Sequence, residues 1–188
     1  VPKLVDVKNN FYAYDYIDGT TLSNINDSTI FKELLEICKN NIWVKKSLSD
    51  VEQLRFKDEC KKFYYDKTLE RLKKFYSDNK IEDKEEVING ERIPKLSKML
   101  EIIDWDKIFE GIPVNFHGDL QPENIILSSN GFKLLDWRHD FAGNLEYGDI
   151  YYDFAKLYHA LIVTHQVIRN NQYQIKNEKG NIKYDFFI

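Results

Sequence analysis

The reading of this chain turns on NFHGDLQPENIILSSNGFKLLDWRHD, residues 115–140. Two apolar runs, Ile125–Leu127 and Phe132–Leu135, flank Ser128-Ser129-Asn130-Gly131, and Asn-Gly between apolar runs signals a β-hairpin. A further strand-like run, Pro113–Phe116, precedes them. A hairpin returns its end close to its start, because opposed residues lie about 5 Å apart. Asn124 precedes the first strand and Asp136 follows the second, so the spacing predicts that both face one space. A converging amide oxygen and carboxylate are hard ligands of the kind Mg²⁺ accepts while it keeps waters and binds phosphates. Asp119, in the loop just before, is predicted to face the same space, free to accept a proton from a hydroxyl.

The rest of the chain limits what can surround this segment. Its 188 residues fit one domain, or one domain and a fragment of another. With 43% hydrophobic and 14% aromatic residues it can build a core, which excludes global disorder. A net charge of −4 argues against a nucleic-acid partner, which would call for a basic surplus. Lys61 and Lys62, like Lys73 and Lys74, alternate with acids and read as solvated helix faces. Cys38 and Cys60 sit in helix-like segments without C-x-x-C spacing. They read as reduced, buried thiols of a cytoplasmic protein rather than a disulfide. No apolar run approaches the roughly 18 residues of a membrane span, and no signal-peptide pattern is present.

The pattern predicts an α+β, predominantly helical chain. Residues 1–17, VPKLVDVKNNFYAYDYI, read as two strands joined at Lys8-Asn9-Asn10. Asp27 and Ser28 cap a helix carrying Ile30, Leu34, Leu35, Ile37, Cys38 and Ile42 at helical spacing. A longer helix runs from near Asp50 to about Tyr76, its predicted stripe being Val51, Leu54, Phe63, Leu69, Leu72 and Phe75. The charged residues 77–95 read as a loop, and Pro94 as the first residue of a helix over 94–104. A last amphipathic helix covers 149–166, and the polar then aromatic tail 167–188 carries no assignment.

The segment HGDLQPENIIL (117–127) followed by LLDW (134–137) resembles the catalytic loop and metal-binding segment of protein kinases. Gly118 after the histidine and Trp137 after the second aspartate make it resemble more closely the aminoglycoside phosphotransferase and choline kinase-like superfamily. Downstream, YGDIYYDFAKLYHAL (147–161) is similar to that superfamily's acidic residue before a core helix. The resemblance is strong over 115–160, moderate over 11–22 and weak between.

It implies a two-lobed small-molecule kinase using ATP or another NTP with Mg²⁺. Residues 1–17 would be a remnant of the N-lobe strands and the start of the hinge, and 18–188 the C-lobe. By the resemblance, Asp119 is the base, and Asn124 and Asp136 hold the metal. His117 is structural, its ring hydrogen-bonding backbone near Asp136. Asp153 braces the catalytic loop by accepting backbone N–H bonds, with Asp149 a second support. YDYIDGTTL (14–22) looks like the hinge, where Asp15 and Tyr16 would meet the adenine and Ile126 would floor the pocket. Arg138 and Trp137 are candidate acceptor contacts.

Three departures qualify the resemblance. No G-x-G-x-x-G occurs and about two strands precede the hinge, so the chain reads as a truncated form carrying mainly the C-lobe, with little activity alone. Gln121 stands where many protein kinases have Lys and many antibiotic kinases His. The spacer WRHDFAGNLEYGDIYY (137–152) is long for an antibiotic kinase. The acceptor implied is a small molecule with a hydroxyl: an amino alcohol, a sugar or an aminoglycoside-like compound. Aromatic residues around the site, Trp137, Tyr147, Tyr151 and Tyr152, favour choline-like or sugar metabolites of cell-surface polysaccharide synthesis. The alternative reading is a catalytically inactive kinase-like binding module. The oligomeric state is open.

Overall fold

A computed structural model describes residues 3–163, 165–178 and 180–187. Along the chain run β1 (Leu4–Lys8), β2 (Phe11–Tyr14), β3 (Thr20–Thr21), α1 (Ser28–Asn41) and α2 (Asp50–Lys61). Then come α3 (Lys67–Asn79), β4 (Glu86–Ile88), β5 (Glu91–Ile93), α4 (Leu96–Glu101), α5 (Trp105–Glu110), β6 (Pro113–Val114), β7 (Ile125–Ser128) and β8 (Gly131–Leu134). The chain closes with β9 (Gly148–Asp149), α6 (Ile150–Ile162), α7 (His165–Arg169), β10 (Tyr173–Glu178) and β11 (Asn181–Phe186). The fold mixes helix and sheet, and it divides into two compact units.

The first unit joins residues 3–53 to 111–162. β1 and β2 form a hairpin through Asn9 and Asn10, as their polar turn predicts. Leu4, Val5, Val7, Phe11 and Tyr12 on it are all more than half exposed. α1 starts where Asp27 accepts the Thr29 N–H at 2.8 Å, satisfying one of the four amides a helix start leaves without a partner. Its Leu34 and Cys38, one turn apart, reach complete burial against Leu22, Ile42, Leu120, Ile125, Leu134 and Leu157. Each large aliphatic side chain in that cluster contributes about 1.5–3 kcal/mol by leaving water. β7 pairs with β8 antiparallel and with β3 on its other edge, and β6 pairs with β9. The core thus lies directly beneath residues 115–140.

The second unit joins residues 54–110 to the described residues of 163–187. One helical rod runs through α2, a π-turn at Lys62–Asp66 and α3, close to the predicted span. Its buried stripe differs from the predicted one. Phe56, Cys60 and Phe63 are buried, whereas Val51, Leu54, Leu69 and Phe75 are exposed. The π-turn inserts a residue and shifts the helical phase, so one periodic stripe cannot be drawn across residues 51–75.

Residues 77–95 hold a hairpin where a loop was predicted. β4 and β5 pair across Asn89 and Gly90, both at positive φ (51° and 84°), the condition of the type I′ turn that Asn-Gly favours. α4 begins at Leu96 rather than Pro94, because Asp83 accepts the Leu96 and Ser97 N–H groups at 2.8 and 3.0 Å. The unassigned tail supplies α7 and the β10–β11 hairpin, and β11 runs parallel to β4 to complete a four-stranded sheet. Both cysteines are buried and neither is in a disulfide, Cys38 in the first unit and Cys60 in the second. No described helix is long and apolar enough to cross a membrane.

Candidate active site

Residues 115–124 are held by the fold rather than by their own secondary structure. β6 delivers the chain to His117, and the loop then returns through a short 3₁₀ turn, Pro122–Asn124, into β7. Asp153, on the first turn of α6, is fully buried beneath the loop. Its Oδ1 accepts the Gly118 N–H at 2.7 Å, and its Oδ2 accepts the His117 N–H at 2.9 Å and the Trp43 indole N–H at 3.0 Å. Burial pushes its pKa up, and the three hydrogen bonds oppose that shift. Asp149 is also buried, and its Oδ1 accepts the Ile112 N–H at 2.8 Å where β6 meets β9.

Gly118 makes this turn possible. Its φ is +80°, and a Cβ there would stand 2.4 Å from the Arg138 Cβ and 2.8 Å from the Phe116 ring. The close approach is fixed by Arg138 N–H donating to the His117 carbonyl at 2.8 Å.

His117 is fully buried, its ring 4.7 Å from the Trp137 ring. Burial lowers its pKa from 6.5 to about 4, against the opposing pull of the Leu135 carbonyl and the Asp119 and Asp136 charges. The ring is therefore neutral near pH 7. Nδ1 accepts the Asp119 N–H at 3.2 Å, which places the remaining proton on Nε2. The Asp136 neighbour foreseen for this ring is the Leu135 carbonyl, whose influence reaches it without a formed hydrogen bond to Nε2.

Asp119, Asn124 and Asp136 lie around this loop. Asn124 Nδ2 donates at 3.0 Å both to the Asp119 carbonyl and to Asp119 Oδ2, and Gln121 Nε2 reaches Oδ2 at 3.4 Å. With its amide turned this way, Asn124 presents Oδ1 with no donor among the described residues. Leu135 N–H donates to the Asn124 carbonyl at 2.8 Å, so Asp136 follows the residue directly across from Asn124. Asp136 is exposed, has no ion pair or hydrogen bond among the described residues, and sits at φ +54°. A left-handed non-glycine residue stores strain of about 1–2 kcal/mol, and such strain concentrates at functional sites. Asn124 Oδ1 and the Asp136 carboxylate, on residues at the two ends of the β7–β8 hairpin, are hard oxygen donors of the kind a divalent cation takes together with water and phosphate. Among the described residues no cluster of three or more His, Cys, Asp or Glu forms a self-sufficient metal cage.

One family is described by a model that matches residues 7–177 of this chain: APH, the phosphotransferase enzyme family. The chain belongs to this phosphotransferase family. No curated protein and no solved structure matches it.

The other residues singled out in this phosphotransferase are placed as follows. Asp15 and Tyr16 follow β2 and are exposed, Tyr16 at 90%, and the Asp15 N–H donates to the Lys3 carbonyl at 3.1 Å. Ile126 lies on β7 opposite Thr21, so strand pairing brings Thr20–Thr21 to it. Trp137 donates its indole N–H to the Leu134 carbonyl at 3.2 Å and packs on His117. Arg138 Nε donates to the Asp140 carbonyl at 3.0 Å, and its guanidinium stands 6.0 Å from the Tyr152 ring centre. Trp137 and Arg138 line an open cleft of about 330 Å³ with Asn115, His139 and Glu146.

Two residues of this site escaped sequence reasoning. Trp43 gives Asp153 its third donor, and Lys156 Nζ lies 2.5 Å from Asp119 Oδ1. A signal for Lys156 was present: it follows Asp153 by three on a helix, which puts both on one face. Trp43 lies 110 residues from its partner and carried none.

Proposed function

We propose that this protein transfers the terminal phosphoryl group of ATP, or another NTP, to a hydroxyl of a small-molecule acceptor. The observation that carries the reading is Asn124, whose amide fixes Asp119 through Nδ2 and leaves Oδ1 directed elsewhere. Asp119 is the base that orients the hydroxyl and takes its proton. Asn124 Oδ1 and the Asp136 carboxylate are the protein's ligands for Mg²⁺, which when bound would neutralise charge on the phosphates. Asp153 and Asp149 hold the loop so that these groups are in place before substrate arrives, the condition under which electrostatic stabilisation is largest. His117, neutral and buried, fixes the Asp119 backbone.

Residues 18–188 are proposed as the kinase-like C-lobe, with residues 1–17 a remnant of the N-lobe strands and the start of the hinge. The exposed apolar hairpin β1–β2 supports this reading. The nucleotide base would lie against Asp15, Tyr16 and Ile126, and the acceptor beside Trp137 and Arg138. An amino alcohol, a sugar or an aminoglycoside-like compound is the proposed acceptor, with polysaccharide metabolism a setting that would supply one. The test is nucleotide consumption by full-length protein across a panel of such alcohols, with Asp119→Asn as control. Turnover abolished by that substitution supports the mechanism. Full activity in Asp119→Asn, or no turnover with any alcohol, refutes it. No turnover combined with no magnesium-dependent nucleotide binding identifies an inactive binding module instead.

A further inference from the structure

Lys156 bears directly on the chemistry of the loop. Its ammonium and the Asp119 carboxylate pair at 2.5 Å with both side chains 30% exposed, so water and salt screen them less than a surface pair. Asp119 Oδ2 already receives Asn124 Nδ2 and Gln121 Nε2. A carboxylate oxygen offers two lone pairs, so Oδ2 is filled and one acceptor position remains on Oδ1. A hydroxyl approaching to give up its proton must therefore share Oδ1 with Lys156. Two donors on one oxygen at ordinary hydrogen-bond distances stand roughly 4–5 Å apart. The ammonium, with two further N–H groups, then flanks the attacking oxygen. Gln121, which reaches the same carboxylate, is neutral and cannot supply that charge.

We propose that Lys156 is a positioning residue for phosphoryl transfer, fixing Asp119 through Oδ1 and placing a positive charge beside the attacking hydroxyl. Asp153 and Lys156 share one face of α6. That single face then holds the backbone of residues 117 and 118 and the side chain of Asp119. In the step itself the hydroxyl proton passes to Asp119 Oδ1 while the hydroxyl oxygen bonds to phosphorus. The bond from phosphorus to the bridging oxygen breaks, and the nucleoside diphosphate leaves with the electron pair. The proposal rests on the function given above.

The experiment compares full-length wild type with Lys156→Met, Lys156→Arg and the double variant Gln121→Lys/Lys156→Met. Three quantities are read: nucleotide turnover with an acceptor panel and with water alone, nucleotide affinity by calorimetry, and hydrogen exchange of the Asn124 side-chain amide by NMR. Lys156→Met should lower kcat about 100-fold, the scale of one preorganised donor, with nucleotide KM changed less than about twofold. Its Asn124 amide should exchange faster, because Asp119 is no longer held from its other side. Lys156→Arg should stay within about tenfold of wild type, and the double variant should recover at least about tenfold over Lys156→Met. Wild-type kcat in Lys156→Met, a loss confined to KM, or unchanged Asn124 exchange overturns the proposal. If wild type turns over no substrate, the functional reading fails while the Asn124 exchange still decides the positioning claim. Lys156→Gln, which keeps a donor without the charge, replaces the Met variant should that one not fold.

Discussion

Replacing Asp153 with Asn alters one atom of the buried carboxylate and separates its structural role from its bulk. In the native protein three N–H groups end on two oxygens, with distances of 2.7 Å from Gly118, 2.9 Å from His117 and 3.0 Å from Trp43. An amide offers one oxygen, so the least costly orientation keeps it at the Oδ2 position and turns NH₂ toward the Gly118 N–H. One charge-assisted bond is lost, at about 1.5–3 kcal/mol, and a buried donor then faces a donor. The two remaining bonds become neutral and weaken by about half, roughly 1–2 kcal/mol together. Relief of the burial that raises the Asp153 pKa returns part of this, about 1–3 kcal/mol. The net expectation is a loss of about 2–3 kcal/mol, or a melting temperature lower by about 5–10 °C for a chain of this length. Asp153→Ala, which strands all three donors and leaves a void, should cost about 4 kcal/mol. Trp43→Phe, which removes a single donor, should cost about 1 kcal/mol. Urea unfolding followed by fluorescence gives the energies, and amide exchange at Gly118 locates the damage. Asp153→Asn within about 0.5 kcal/mol of the parent, with Gly118 still protected, would falsify the claim that this carboxylate holds the loop.

Acidification tests His117. The unfolded chain protonates this residue near 6.5, while the folded ring stays neutral down to about 4. The stability tied to the neutral ring is complete above pH 6.5 and is lost as pH falls toward 4, up to about 3 kcal/mol. Urea midpoints from pH 7 to 4 should fall accordingly, and a His117→Asn variant showing the same slope would refute the assignment. Gly118→Ala should destabilise by about 3 kcal/mol, from strain at φ +80° plus overlap with the Arg138 Cβ at 2.4 Å; an unchanged melting temperature would contradict that geometry. Asn124→Ala should weaken magnesium-dependent nucleotide binding by about tenfold or more, measured by calorimetry with and without the metal. Equal affinity under both conditions in wild type would remove the proposed metal ligands.

Local patterns carried much of this protein. The turn at Asn9 and Asn10, the Asp27 cap, the Leu34–Cys38–Ile42 spacing and the β7–β8 hairpin each depend on residues a few positions apart, so sequence alone determined them. The role of Asp153 beneath the loop was legible too, through likeness to a family rather than from spacing. The hairpin at Asn89-Gly90 was equally legible by its turn signal, but the surrounding charge concealed it. Other features were decided by tertiary structure. Phe63 is buried as predicted, but it is joined by Phe56 and Cys60 rather than Val51 and Leu54, and the π-turn at Lys62–Asp66 breaks the phase on which Leu69 and Phe75 were placed. Strand β11 found its parallel partner β4 about a hundred residues away. Above all, Asp119 acquired Lys156, and Asp153 acquired Trp43, from elements distant in the chain. Sequence names the groups of this site because hydrogen-bonding and ligating capacity belongs to each residue. Asn124 and Gln121 fill Asp119 Oδ2 from within the loop, but the cation that shares Oδ1 comes from α6, and only packing around the core of Leu34, Leu120 and Leu157 sets it in place.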